Sequence, residues 1–337
     1  MPEPLLEIKD LRVHFPTEDG LVKAVDGISL QVTPGDTLGV VGESGSGKSV
    51  TFLTVMGLVT SDQAVVSGEV IFQGEDLLKL PKEEMRRIRG AKIGMIFQDP
   101  MTSLHPYYKV GAQIAEAIRT HLDVSKHEAH DRAVEMLRRV SIPRPEERAN
   151  QYPHEFSGGM RQRAMIAMAL ALNPAMLVAD EPTTALDVTV QAQILELIAR
   201  LKDEFEAAVV IITHDLGVVA EYCDDIAVMY AGKAVEYGSA RDIYYNAEHP
   251  YTWGLLGSIT RLDEAGTGRL TSIKGLPPSL IRVPPGCAFH PRCPYVMDVC
   301  KVDVPGLIPS DGYHASACHL SLKEKQRIFR EQVAVRS

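Results

Sequence analysis

The chain has 337 residues, 45% of them hydrophobic and 23% charged, and its formal net charge is −9. This length predicts about two domains, and this composition excludes an intrinsically disordered protein. Lys and Arg are scattered along the acidic chain, so the sequence predicts no nucleic-acid partner. The first residues show no secretory signal, and the longest apolar run, Ala164–Leu172, is much shorter than the ~20 residues of a membrane-spanning helix. We therefore expect a cytoplasmic chain that meets a membrane only through partner proteins.

A phosphate-binding loop is predicted near the N-terminus. The apolar run Leu38–Val41 is typical of a buried strand, and Gly42–Ser49 then fits the pattern GxxxxGKS before a helix that begins at about Lys48. The glycines let backbone N–H groups surround an anion, and the helix N-terminus adds partial positive charge. Lys48 would reach the β- and γ-phosphates, and the Ser49 hydroxyl would bind Mg²⁺. The candidate ATP-binding residues here are Gly42, Ser44, Gly45, Ser46, Gly47, Lys48, Ser49 and Val50.

Residues 86–160 are predicted to be mostly helical. Within them, Ser125 and Glu128 form a capping-box pattern ahead of apolar residues at helical spacing. A second helix start that suits an anion follows, although the chain's own phosphate loop does not need it. Its candidate binding residues are Ser157, Gly158 and Gly159.

Two further buried strands are predicted to end in polar residues. Met176–Ala179 leads into Asp180, which would hold Mg²⁺, and into Glu181, which would polarise the attacking water. The run 207–212 leads to His214, a candidate contact of the γ-phosphate. Acids at the carboxyl end of a buried strand fall where α/β sheets bind ligands, so these residues indicate a hydrolytic site.

Taken in order, these motifs resemble those of ABC transporter ATPases over roughly residues 5–250. The resemblance implies an α/β fold, namely a P-loop NTPase of the ABC type with an inserted helical subdomain. It also implies that two such subunits bind ATP between them as a dimer. The matching segments are the phosphate loop, Gln98 in IFQDP, FSGGM at 156–160, LVADEP at 177–182, ALD at 185–187 and His214.

The resemblance assigns roles to residues outside the phosphate loop. Ser157 and Gly159 would close on the γ-phosphate held by the other subunit. Gln98 would join Mg²⁺ to the attacking water, Asp187 would lie at the dimer seam, and Phe15 would stack on adenine. The helical subdomain would dock membrane subunits, with 99–108 as the candidate contact; an ordinary polar connection is the alternative reading of that segment.

We expect an ATPase domain at 1–245, with its helical subdomain at about 86–160, and a C-terminal extension at 246–337. The extension is predicted to begin with one short helix near His249 and Pro250. Residues 274–294 then contain six prolines in 21 positions, which is typical of irregular extended and turn geometry.

The segments HPYTWGLL, IKGLPPSL and PPGCAFHPRCP resemble the C-terminal extension of the D-type ATPase subunits of oligopeptide and dipeptide importers. The resemblance implies an ATPase that energises peptide uptake from the cytoplasmic face of the inner membrane. Its expected partners are a second ABC ATPase subunit in a heterodimer, two transmembrane permease subunits and an extracytoplasmic peptide-binding protein. A sister importer for nickel or other small cargo, or a soluble ABC ATPase without a transport role, is the alternative.

Four cysteines cluster in the extension, with the spacing C-x5-C-x6-C-x17-C. Structural zinc usually uses cysteine pairs that are closer in sequence, whereas four thiolates from an irregular loop suit a 4Fe–4S cluster, which members of this importer family can carry. Zinc on the same thiolates and four unligated thiols are the alternatives. The candidate iron–sulfur ligands are Cys287, Cys293, Cys300 and Cys318, with His290, His314 and His319 in reserve.

Overall fold

The structure is a computed structural model that describes residues 3–59, 61, 63–184, 186–258, 273–310 and 312–333. The chain divides into two compact units. The first unit is Lys79–Ile212 with Thr33–Asp36 and the N-terminal segment up to Leu5; the second comprises Leu6–Val32, Thr37–Leu78 and Thr213–Ser337. Within the described residues, no helix has the length and apolar character needed to cross a membrane.

The described residues form strands and helices as follows. The strands are β1 (Leu6–Thr17), β2 (Gly20–Val32), β3 (Thr37–Val41), β4 (Val65–Phe72), β5 (Glu75–Asp76), β6 (Ile93–Ile96), β7 (Met176–Asp180), β8 (Ala208–Thr213), β9 (Asp225–Tyr230), β10 (Lys233–Ser239), β11 (Ile308–Pro309) and β12 (Ala315–Ser316). The helices are α1 (Lys48–Val55), α2 (Lys82–Ile88), α3 (Pro100–Ser103), α4 (Val110–His121), α5 (Lys126–Arg139), α6 (Pro145–Arg148), α7 (Gly158–Leu170), α8 (Val188–Phe205), α9 (Leu216–Tyr222), α10 (Ala240–Tyr245), α11 (Pro250–Leu256) and α12 (Leu322–Ile328).

In the first unit, three parallel strands pair in the order β8-β7-β6, so that Ala179 lies between Ile96 and Ile211. Every residue of β6 and β7 is buried, as expected for parallel strands covered on both faces. Their uninterrupted apolar sequences therefore suit this position. The three strands run in the same direction, so their carboxyl ends face one edge, and there β7 ends at Asp180.

The helices of the first unit follow the predicted pattern. Between residues 86 and 160 the structure has α3 to α6 together with the short strand β6. Ser125 is the N-cap of α5, and its Oγ accepts a hydrogen bond from the Glu128 N–H at 3.1 Å. The Glu128 carboxylate instead accepts from Arg132 at 2.7 Å, so the structure confirms the cap and shows a different partner for Glu128.

The second unit contains an antiparallel sheet in the order β2-β1-β4-β5. Strands β1 and β2 form a hairpin joined by two residues, with Thr17 opposite Gly20. Phe15 lies on β1 opposite Val22 and is half-buried.

A second set of strands in this unit pairs in the order β11-β12-β10-β9-β3. β3 runs parallel to β9, with Val40 beside Ala227, and all five residues of β3 are buried. The predicted short helix is confirmed as α11, with His249 as its N-cap. Its residues Tyr251 and Trp253 enter the hydrophobic core of the unit together with Phe289, which lies further along the extension.

A buried group of polar side chains joins β10, β12 and α12 within the second unit. His314 Nε2 lies 2.8 Å from Glu236 Oε1, and Lys325 Nζ lies 3.4 Å from Glu248 Oε2. The Ser316 hydroxyl donates to Glu248 and accepts from Lys325. Burial disfavours the charged form of His314, but the hydrogen bond and charge of Glu236 and the charge of Glu248 outweigh this and raise its pKa above 6.5. The extension is thus anchored by buried, paired charges.

This anchoring should depend on pH. A group whose pKa is higher in the folded state stabilises that state fully below its unfolded pKa, and this stability is lost as the pH rises through the folded pKa. At about pH 6, His314→Gln should lower the free energy of unfolding by about 3 kcal/mol, because one partner of a buried ion pair is removed. The difference from the wild type should shrink as the pH rises through the raised pKa of His314, because the wild-type imidazolium loses its proton there.

The fluorescence of Trp253, the only tryptophan in the sequence, reports unfolding of this unit. Trp253 is buried, and its Nε1 donates to the Ala247 carbonyl at 2.7 Å. His319→Gln is the matched control, since His319 Nε2 contacts the Asp303 carbonyl rather than a carboxylate. If the stability of His314→Gln and of the control depended on pH in the same way, His314 would not be the titrating group.

Candidate functional site

The phosphate loop in the second unit has a shape that requires glycine. Gly47, the N-cap of α1, has φ +101°, and Gly45 has φ +78°, both in the region that favours glycine. A Cβ on Gly42 would lie 2.2 Å from the Met229 carbonyl oxygen, and one on Gly47 would lie 2.3 Å from that of Ala24. The loop therefore packs its backbone against two neighbouring strands while Ser44 and Gly45 stay exposed at its tip.

The loop also carries two polar groups suited to a phosphate. Lys48 is 4% exposed, and its Nζ donates to the carbonyl oxygens of Gly42 at 2.6 Å and Glu43 at 3.0 Å. The Ser46 hydroxyl is buried and has no hydrogen-bond partner among the described residues. A buried hydroxyl without a partner costs free energy, and a bound anion would satisfy it. Ser49 and Val50 occupy the first turn of α1 and are half-buried. The donors present fit a polyphosphate.

In the first unit, the acid pair lies at the carboxyl end of β7. Asp180 ends the strand and is 7% exposed. Glu181 comes next with φ +45°, a conformation that residues with a side chain rarely adopt, and its N–H donates to the Ile212 carbonyl at 2.8 Å. Glu181 Oε2 accepts from Gln98 Nε2 at 3.0 Å and from the Thr184 hydroxyl at 2.8 Å. The structure thus brings together Gln98 and Glu181, and it adds Thr184, which the sequence analysis missed.

The signature segment lies in the same unit at the start of α7. Ser157 is the N-cap, and its Oγ accepts from the Met160 N–H at 3.3 Å. Gly158, in the first turn, is exposed. Beside it, a Cβ on Gly159 would lie 3.1 Å from Val190 Cγ1, so there is little room for a larger residue. Gln162, one turn further along α7, donates to the Pro182 carbonyl at 2.6 Å and so ties α7 to the turn after Glu181.

The remaining predicted site residues lie at element ends or on strands. Asp187 is the exposed N-cap of α8, and its Oδ1 accepts from the Val190 N–H at 2.9 Å. Ala185, the first residue of the ALD motif, lies outside the described residues. His214 belongs to the second unit, where it is exposed between β8 and α9. Phe15 lies on β1 of that unit.

The four cysteines do converge, but not as a metal site. Cys287, Cys293, Cys300 and Cys318 line one cavity of about 10 Å³, roughly the room that a single water molecule needs. Burial raises the pKa of Cys293 to about 12 and that of Cys318 to about 11, and it also raises the pKa of Cys287. Burial therefore disfavours the thiolate form of these three cysteines.

This corrects the prediction of a 4Fe–4S cluster. Among the described residues, no group of three or more His, Cys, Asp or Glu side chains is placed to hold a metal ion. The reserve ligands have other partners: His290 Nδ1 lies 3.0 Å from the Cys287 carbonyl, His314 pairs with Glu236, and His319 contacts the Asp303 carbonyl. The iron–sulfur prediction is wrong, and zinc gains no support. Cys287 and Cys293 pack against the hydrophobic core of the second unit, and Cys300 is buried.

The phosphate loop has a backbone shape that requires glycine, and it contains a buried lysine. An acid pair ends a parallel strand. These features define a P-loop nucleotide-binding protein. Residues 25–184 match the family described as "ABC transporter", and residues 235–300 match "Oligopeptide/dipeptide transporter, C-terminal region". The chain therefore belongs to the ABC transporter ATPases, and within them to the oligopeptide and dipeptide transport ATP-binding proteins.

Comparisons with individual proteins support the same family assignment. The chain is 54% identical over 303 residues to the oligopeptide transport ATP-binding protein OppD of Salmonella typhimurium, covering 89% of this chain and 90% of the relative. It is 52% identical over 319 residues to the dipeptide transport ATP-binding protein DppD of Bacillus subtilis, covering 94% and 95%. A dimeric ATP-binding cassette solved in a post-hydrolysis state with ADP and phosphate aligns with a TM-score of 0.63 at 29% identity, over 70% of this chain and 99% of that one. These comparisons confirm the predicted fold class and the predicted family.

Proposed function

We propose that this chain is the ATP-hydrolysing subunit that energises the uptake of oligopeptides or dipeptides across the cytoplasmic membrane. The observation that carries the proposal is that residues 235–300 match the C-terminal region of oligopeptide and dipeptide transporters, on the same chain as an ABC cassette. The extension shares a hydrophobic core with residues of the phosphate-loop unit, which supports a role for both in one motor.

The chemistry at this site would be hydrolysis of the γ-phosphate of ATP. ATP with Mg²⁺ supplies the phosphoryl group and the metal charge that stabilises its transfer. The loop N–H groups, Lys48 and the unpartnered Ser46 hydroxyl bind the phosphates. The residues that we propose to hold the nucleotide are Phe15, Gly42, Ser44, Gly45, Ser46, Gly47, Lys48, Ser49, Val50, Asp180 and, from the facing subunit, Ser157, Gly158, Gly159 and Asp187.

The catalytic residues that we propose are Glu181, Gln98 and His214. Glu181 takes a proton from the attacking water, because a carboxylate next to the strand end can act as a general base. The hydrogen bonds from Gln98 and Thr184 to one oxygen of Glu181 hold that carboxylate in one orientation. Gln98 and Ser49 are the residues that would hold Mg²⁺, and His214 would contact the γ-phosphate.

The partners that we propose are those of a peptide importer. A second ABC ATPase subunit completes a heterodimer, two transmembrane permease subunits bind the helical subdomain, and an extracytoplasmic protein delivers the peptide. The chain would then be peripheral on the cytoplasmic face of the inner membrane. Met101, Tyr107 and Tyr108 in the first unit are 57%, 83% and 58% exposed, which supports this segment as the permease contact. We propose that 1–245 is the ATPase domain, with its helical subdomain at about 86–160, and that 246–337 is the extension.

Transport by intact cells tests the proposal. A strain that lacks this chain's gene should take up labelled dipeptides or oligopeptides only when the wild-type gene is restored. Uptake of a labelled amino acid by an unrelated transporter is the control for cell energisation. If the gene restored nickel uptake and left peptide uptake unchanged, the chain would serve a sister importer, and the peptide assignment would be wrong.

A further inference from the structure

Glu43, the second residue of the phosphate loop, is held by residues that follow the cassette. Its carboxylate forms two parallel bonds with Arg292, from Nη1 to Oε2 at 2.5 Å and from Nη2 to Oε1 at 2.9 Å. Its backbone N–H donates to the Tyr251 hydroxyl at 2.8 Å. Its carbonyl oxygen accepts from Lys48 Nζ at 3.0 Å. Hydrogen bonds therefore hold the side chain, the N–H and the C=O of this one loop residue.

Arg292 is itself rigidly held. Its side chain is 5% exposed, and besides Glu43 it donates to the carbonyl oxygens of Lys274 at 3.1 Å and Gly275 at 3.2 Å. Nη1 also lies 3.3 Å from the Tyr230 hydroxyl, and the guanidinium carbon lies 6.0 Å from the centre of the Phe289 ring. A planar guanidinium that is bonded on both edges presents one orientation to the carboxylate, which a lysine could not do.

These contacts connect the loop to the extension across a large sequence separation. Arg292 lies 249 residues after Glu43 and between the first two clustered cysteines. Glu43 is 27% exposed, so loss of Arg292 would leave a partly buried carboxylate without its bidentate partner. The loop would be expected to move Glu43 towards solvent. That movement would carry along the carbonyl that receives Lys48 Nζ.

We propose that Arg292, together with Tyr251, is a positioning residue for the nucleotide: through Glu43, the extension holds the first half of the phosphate loop in the shape that receives the phosphates. The proposal deepens the proposed function and rests on it, since it assumes that the loop binds ATP. Coupling between two sites is reciprocal, so ATP binding stabilises the extension by the same factor by which the extension strengthens ATP binding.

Equilibrium binding of MgATP to the full chain tests the proposal, using Arg292→Met, Glu43→Gln and the double variant. Each single variant should weaken ATP binding about tenfold, and the double variant should bind no more weakly than either single one, because both remove the same bond. Arg292→Lys keeps the charge but loses the bidentate geometry, so its affinity should lie between those of wild type and Arg292→Met. Arg282→Met, at an exposed arginine of the extension, is the matched control and should bind like wild type.

Unfolding followed by Trp253 fluorescence provides the second readout. Saturating MgATP should raise the unfolding temperature of the wild type and of Arg282→Met more than that of Arg292→Met. Glu43→Gln changes a residue of the loop and keeps every residue of the extension, including the packing of the Arg292 side chain, so it tests the bond even if Arg292→Met folds poorly. Unchanged ATP affinity in Glu43→Gln, or additive losses in the double variant, would overturn the positioning role. If the wild type itself bound no ATP, the proposed function would fail instead.

Discussion

Glu181→Gln should bind ATP as tightly as the wild type and hydrolyse it about 100- to 10,000-fold more slowly, the range of effects expected when a general base is removed. The amide has nearly the same shape as the carboxylate, and its oxygen can still accept hydrogen bonds from Gln98 and Thr184, which bond Glu181 at 3.0 and 2.8 Å. What it lacks is the ability to take a proton. The change should therefore lower kcat without weakening binding.

Phosphate release under saturating MgATP measures the loss, and equilibrium binding of MgATP measures affinity. The matched control is Glu204→Gln on α8, where the carboxylate forms surface ion pairs with Arg139 and Arg200. This variant should retain wild-type turnover, because exposed pairs contribute little. Wild-type turnover in Glu181→Gln would remove Glu181 from the role of base, and weakened binding would indicate that it contributes to holding the nucleotide.

Lys48→Ala should weaken ATP binding about 10- to 100-fold, as expected when a charged donor to a phosphate is lost. The buried ammonium now lies between two carbonyl oxygens, those of Gly42 and Glu43, at the inner side of the loop. Alanine removes both the charge and the donors that hold these carbonyls. The affinity for ATP should fall, and hydrolysis at subsaturating ATP should fall with it.

Equilibrium binding measures this effect, with Lys126→Ala at the exposed start of α5 as the control for loss of a lysine. Thermal unfolding distinguishes a Lys48→Ala variant that has only lost contacts with ATP from one whose loop has lost its folded structure. ATP affinity equal to that of the wild type in a folded Lys48→Ala variant would contradict the assignment of this loop as the phosphate site.

The parts of the site that depend on local sequence were predictable. Leu38–Ser49 specifies a strand, a glycine-rich turn and a helix start within a dozen residues, and the structure places β3 and α1 accordingly. The acids after Met176–Ala179 were predictable for the same reason, since an uninterrupted apolar run indicates a strand buried on both faces.

The parts that depend on contacts distant in sequence were not predictable. Nothing near Glu43 indicates a partner 249 residues away, and the Arg292 stretch was interpreted through its neighbouring cysteines. Their spacing did indicate that the cysteines converge, but their burial, which raises the pKa of Cys293 and Cys318, depends on contacts that the spacing does not show. Thr184 was missed because a threonine in a turn has no distinctive sequence pattern.

The pairing of β12 with β10 limits which cassettes can accept this extension in a chimeric protein. Glu236 on β10 lies opposite Ser316, and β10 pairs with β9 beside β3, which leads directly into the phosphate loop. A chimera that grafts this extension onto another cassette would need a recipient with acids at the positions of Glu43 and Glu236. Without them, the incoming arginine and histidine would be buried without their counter-charges. Extension and cassette are therefore expected to be exchangeable only as a matched pair.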